Sequence, residues 1–182
     1  PTKEVMAFHA GTFGGCDSNC SDATWKHLID TGVITTIIAF TTTNLTQLAC
    51  YAHSKGVRVV LNNGLITRRF NYSQLHDAAY RTAWVQHGAK TAQDVYHFAD
   101  GIDLDLEPRT NNTGTVGDAD KKAMANLTCE FATALRAHGS LLSTMDVAMW
   151  GSWGDFDVKA LSMCAERIVP MAYCAPPSTT HA

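Results

Sequence analysis

No apolar run in this chain approaches the ~18 residues that a bilayer-spanning helix requires, so none is expected to cross a membrane. No block of basic residues is present either. Fourteen Lys and Arg stand against 17 Asp and Glu, a net charge of −3, which argues against a nucleic-acid partner. No leader is visible: Pro1-Thr2-Lys3-Glu4 passes at once into an apolar segment, so the chain is expected to be a mature form with any leader already removed. At 182 residues it fits one domain and is long enough to bury a core. A hydrophobic share of 46% and a charged share of 17% place it among ordinary globular domains.

The most informative stretch that is present is Asp100-Gly101-Ile102-Asp103-Leu104-Asp105-Leu106-Glu107. Acidic and apolar residues alternate from Ile102 onward, the period of a β-strand. Successive strand side chains point to opposite faces, so Asp103, Asp105 and Glu107 are expected to share one face. Ile102, Leu104 and Leu106 would share the other and pack on covering helices. Three carboxylates spaced about 6.6 Å apart repel, and burial adds a desolvation cost. Keeping one group protonated relieves both, and that yields a proton donor at neutral pH. Perturbed carboxylates cluster at functional sites, which makes this file the candidate catalytic group. Asp100 reads as a support for the strand. A calcium loop would need a central glycine and a more oxygen-rich run.

Two features point to the secretory route. Six cysteines, Cys16, Cys20, Cys50, Cys129, Cys164 and Cys174, form an even set, which suits an oxidising compartment but allows 15 pairings. Cys16 and Cys20 share a Gly/Asp/Ser/Asn-rich loop and are the disulfide candidates; Cys50, inside a helical pattern, reads as an ordinary buried thiol. Asn19, Asn44, Asn71, Asn111 and Asn126 each open an Asn-x-Ser/Thr triplet. With eight asparagines in the chain, chance would give about one such triplet, so five are read as glycosylation sites.

Short apolar runs alternate with amphipathic segments. Strands are expected at residues 4–9, 35–41, 57–61, 101–107, 141–148 and 167–173. Helices are expected at 23–30, 45–54, 72–98, 119–138 and 158–165, with Gly56 and Gly139 as C-terminal caps. The alternation predicts an α/β fold with a parallel sheet covered by helices. Carboxylates approaching the C-terminal end of a strand favour an eight-stranded β/α barrel, whose catalytic face lies there. Six strand–helix units are counted, about three quarters of such a barrel, in a domain spanning residues 1–174. Residues 109–117 read as a polar loop above the active face, and residues 175–182 as an irregular tail.

The acidic stretch resembles the signature strand of the family 18 glycoside hydrolases, the chitinase-like (β/α)8 TIM barrels. Residues 50–61 resemble the second helix and third strand of such barrels, 79–84 the following helix, and Asp146-Val147-Ala148 and Met171-Ala172-Tyr173 the fifth and sixth strands. The resemblance implies hydrolysis of β-1,4-linked N-acetylglucosamine, in the chitobiose core of glycans or in chitooligosaccharides, with no cofactor and a lysosomal or secreted location. It implies that Glu107 is the general acid and that Asp105 orients the 2-acetamido group, whose oxygen attacks the sugar carbon. Asp103 would share a proton with Asp105, and Tyr173 would hydrogen-bond the acetamido oxygen. This is substrate-assisted retention, which needs no protein nucleophile. Met171 and Trp150 are further candidate sugar contacts, Trp150 by stacking together with Trp153.

The chain departs from the family pattern in places. Leu61-Asn62-Asn63-Gly64 stands where many members carry Ser-x-Gly-Gly, and Cys174 follows Tyr173 where many carry Asp. Strands seven and eight are not found, and six strands leave open edges with unpaired backbone groups. A second polypeptide completing the barrel is one expectation from this. The alternative function is a non-catalytic sugar-binding or extracellular structural protein on the same scaffold; such relatives usually lose one of the acidic residues, and none is lost here.

Metal binding is not expected. His53, His76, His87, His97 and His138 sit on helical patterns without paired ligand spacing. Cys16, Cys20 and His27 only mimic a zinc knuckle.

Overall fold

The computed structural model describes residues 3–9, 22–40, 44–67, 69–107, 116–139, 141–148 and 156–171. Six strands alternate with helices: β1 (Met6–His9), α1 (Asp22–Asp30), β2 (Thr36–Ala39), α2 (Leu45–Ser54), β3 (Arg58–Asn62), α3 (Asn63–Ile66), α4 (Ala78–Val95), β4 (Gly101–Leu104), α5 (Asp118–Ala137), β5 (Leu142–Ala148), α6 (Val158–Ser162) and β6 (Arg167–Met171). A 3-10 turn, Tyr72–Gln74, precedes α4. All six strands pair in parallel in the order β1-β2-β3-β4-β5-β6, the sequential order of a (β/α)8 TIM barrel of which this is a part. Every expected strand is present. No described helix is long and apolar enough to cross a membrane.

Strand period separates two faces. Ile37, Val59, Leu61, Ile102, Leu104 and Met145 are buried under the helices, in one continuous core with Leu48, Trp84, Leu127 and Phe131. On the concave face, Ile38, Val60 and Val169 are buried with Met6, Phe8, Phe40 and Leu142 packed against them. Gly101 allows β4 and β5 to meet at Leu142: a Cβ there would stand 2.5 Å from the Leu142 carbonyl oxygen. Below this layer Glu4 holds Arg58 and Arg167, with Arg167 Nε 2.5 Å from Glu4 Oε2. Burial opposes the Glu4 charge, but the Arg167 hydrogen bond and the two arginine charges outweigh it and hold this carboxyl below the usual glutamate range.

Local chemistry accounts for the differences from the sequence expectation. The segment 72–98 is not one helix. Asp77 stops it by capping α4, its Oδ1 accepting from the backbone N–H groups of Ala79 (2.9 Å) and Tyr80 (3.2 Å). Strand β4 ends at Leu104 rather than at Glu107, because its neighbour β3 turns into α3 directly after Asn62. The C-terminal cap expected at Gly56 is present, with φ +74°, a left-handed conformation that favours glycine.

Cys129 on α5 is bonded to Cys164 behind α6, with Cα atoms 4.8 Å apart. The expected pair Cys16 and Cys20 lies outside the described residues, as does Cys174. Cys50 is a free thiol as expected for a helical cysteine, but it is exposed instead of buried, because it lies on the side of α2 opposite Leu48, Ala49 and Ala52.

Candidate active site

The concave end of β3 and β4 holds the acidic file. Asp103 is fully buried (0% exposed), Asp105 half-buried and Glu107 exposed, so wetness rises along the file toward the C-terminal rim. A cleft of about 360 Å³ lies at this rim, lined by Asn62, Asn63, Gly64, Arg69, Tyr72, Asp105, Leu106 and Glu107. That size takes a small ligand, and its polar lining suits hydroxyl and amide groups.

Past the end of β4, a side chain takes over from the sheet ladder. Asn63 Oδ1 accepts the Asp105 backbone N–H at 2.8 Å, which keeps residue 105 in line with the strand. Asn62 Oδ1 accepts from the Gly64 N–H at 2.8 Å, so its amide nitrogen is the end left to face the carboxyls. Thr144 donates its hydroxyl to Asp103 Oδ1 from the neighbouring strand, in the register that pairs Asp103 with Thr144.

Burial, and then the charge of Asp105, raise the Asp103 pKa to about 6, although the Thr144 hydroxyl and the nearby Asp146 and Asn62 side chains oppose the rise. Asp105 is raised by burial and by the Glu107 charge, with Asn62 pulling the other way. The fourth member, Asp146 on β5, is 1% exposed. Burial and the neighbouring carboxylates, Asp103 first, push it up to about 10. The protonated group that relieves the crowding therefore includes a residue the acidic stretch does not contain.

Asp100 sits at the other end of β4. It accepts the Val59 N–H at 2.6 Å and meets His53 Nε2 at 2.8 Å, the supporting role expected of it. Met171 ends β6, 3% exposed, and is not among the residues lining the cleft. Tyr173, Trp150 and Trp153 lie outside the described residues, as do Asn19 and Asn111. Asn44, Asn71 and Asn126 are exposed. No group of His, Cys, Asp or Glu that could hold a metal ion occurs among the described residues. Asn62, Asn63, Arg69, Tyr72 and Asp146 escape the sequence reading as site residues. For Asp146 a signal exists: Leu142, Thr144 and Asp146 have the period-2 parity of the concave face.

A carboxylate file leaving the fourth strand of a β/α barrel is the arrangement of the chitinase-like glycosidases that the sequence resembles. The particular protein matched is di-N-acetylchitobiase. The human protein (Homo sapiens) is 33% identical over 111 residues, which cover 61% of this chain and 24% of that one. The bovine protein (Bos taurus) is 35% identical over 107 residues, 59% of this chain and 50% of that one. The matches thus span half or less of the relatives' own length. No protein-family model matches the chain. Among solved structures, a glycoside hydrolase family 18 N-acetylglucosaminidase from Paenibacillus barengoltzii superposes with a TM-score of 0.65 at 15% identity, over 94% of this chain and 54% of that one. At that identity the likeness is one of fold.

Proposed function

We propose that this chain carries the acid machinery of a family 18 glycoside hydrolase that cleaves β-1,4-linked N-acetylglucosamine by substrate-assisted retention. The observation that carries the reading is the graded file: dry Asp103, half-buried Asp105, and Glu107 exposed in a polar cleft at the C-terminal end of β4. Glu107, the exposed one of the two carboxyls that line the cleft, is assigned the protonation of the leaving oxygen. Asp105 is placed to orient and polarise the 2-acetamido group. Asp103 shares a proton with Asp105, a role its raised pKa supports. Tyr173 is assigned the acetamido oxygen and Met171 a sugar contact on the family resemblance alone, and Trp150 a sugar contact because an aromatic face suits the apolar face of a sugar ring, packing of its own loop being the alternative.

The substrate class is an oligosaccharide containing N-acetylglucosamine, and the location is lysosomal or secreted, with glycans at the Asn-x-Ser/Thr triplets. These follow from the resemblance and the triplets. A separate second polypeptide completing the barrel has no support in the relatives, which are longer than the part matched here.

The test is hydrolysis of reducing chitobiose between pH 4 and 7, with Glu107→Gln as control. Release of N-acetylglucosamine that the control lacks is the expected result. Sugar binding without release refutes the enzyme reading and leaves a sugar-binding protein.

A further inference from the structure

Asp146 lies beside the acidic file, on the neighbouring strand two residues past Thr144, and is absent from the catalytic scheme above. It is held on the concave side of β5, with Val169 of β6 beside it in register and Asp103 of β4 in front of it. Among the described residues, neither of its carboxyl oxygens, nor Asp103 Oδ2, meets a donor from any other group. The second Asp103 oxygen is already taken by the Thr144 hydroxyl. Two bare carboxylates in contact with no cation and no water-exposed surface would each lose hydration without compensation. The ionisable groups acting on Asp146 among the described residues are Asp103, Asp105 and Glu107, all acidic; Asn62 and Thr144, beside Asp103, are neutral. A proton on one member of the pair resolves the conflict, because the O–H then bonds the partner oxygen. Asp146, neither of whose oxygens is held while Thr144 already donates to Asp103, is the member that keeps it.

We propose that Asp146 is a positioning residue for the file: its protonated carboxyl donates to Asp103 and thereby sets how readily Asp103 accepts a proton from Asp105. Together with Thr144 it gives Asp103 two fixed donors from β5. The charged form of Asp103 is stabilised and the shared proton is left with Asp105, nearer the cleft. The role of Asp103 and Asp105 as glycosidase carboxyls rests on the function proposed above; the protonation of Asp146 and its hold on Asp103 do not.

Infrared titration of the whole protein, labelled with ¹³C at the aspartate carboxyls, decides it without turnover. One protonated aspartic acid band should persist at pH 8, vanish in Asp146→Asn and survive in Asp105→Asn. The next aspartate to titrate, near pH 6 in the parent, should keep its midpoint within about half a unit in Asp146→Asn, which retains a donor. It should rise by about one unit or more in the donor-free variants Asp146→Val and Asp146→Ala, as loss of a hydrogen bond to the charged form requires. Either donor-free variant suffices if the other does not fold. A band missing at pH 8, or surviving in Asp146→Asn, overturns the proposal, and so does an unmoved midpoint in a folded donor-free variant. A chain that hydrolyses nothing, yet titrates as expected, refutes the glycosidase reading and leaves this one standing.

Discussion

Arg167, which opens the last strand, donates to Glu4, which precedes the first, across 163 residues of sequence. The sheet is curled enough that its two outer strands share one carboxylate on the concave side, with Arg58 of β3 as a third member. Breaking the pair by Arg167→Met should cost about 0.5–1 kcal/mol at pH 7, since the partly exposed groups are screened by solvent. The sign with pH follows from Glu4, whose pKa is depressed in the folded state. Its contribution is complete above the ordinary glutamate value and is lost as pH falls through the lower folded-state value. Urea unfolding at pH 7 and pH 3 should therefore show a gap between parent and variant that narrows in acid. A gap that widens would contradict the assignment.

Asn63→Ala should slow turnover of a chitobiose substrate about tenfold or more while leaving the fold intact. Asp105 loses the side chain that holds its backbone N–H at 2.8 Å, and a misplaced orienting group forfeits much of its effect. The comparison that matters is with Asp105→Asn, which keeps the position and changes the charge. A rate for Asn63→Ala within about twofold of the parent would show that Asp105 is positioned by other means.

Reduction, or Cys129→Ser with Cys164→Ser, should lower stability by about 2–4 kcal/mol, because the bond closes a loop between residues 35 apart in sequence. Peptide mapping without reductant should recover the Cys129–Cys164 link and a free Cys50. Finding Cys50 in a bridge would revise the pairing.

Asn44, Asn71 and Asn126 are exposed in the fold, so glycopeptide mass spectrometry of the protein expressed through a eukaryotic secretory pathway should find each occupied. Asn71 is the informative one. Its Oδ1 is turned toward Ser73, accepting from the N–H at 3.2 Å and the hydroxyl at 2.9 Å. Asn71→Asp keeps that acceptor while removing the glycan, and should change mass but not thermal midpoint by more than about 2 °C, as surface changes away from structural features normally do. An unmodified Asn71 in secreted material would contradict the reading.

Strands such as β2 and β3 were legible because they are short apolar runs, as strands buried on both faces require, and β4 because its acidic and apolar residues alternate. Asp103, Asp105 and Glu107 were legible because they are neighbours on one strand. The rest of the site is assembled across strands, which sequence order hides. Asp146 reaches Asp103 only through the β4–β5 register, and Asn63 reaches Asp105 only because β3 stops one residue short of it. The break at Asp77 was masked by a helical pattern that continues on both sides. A carboxyl-bearing cap in the middle of a long amphipathic segment is the cue that was available.

The rise in wetness from Asp103 to Glu107 separates two clocks. Glu107 meets solvent directly, so its proton is exchanged at a rate set by buffer and pH. Asp103 has no such route: it is fully buried, and its proton neighbours are the carboxyls of Asp105 and Asp146. A change of pH outside should thus be felt first at the mouth of the cleft and last at its dry end.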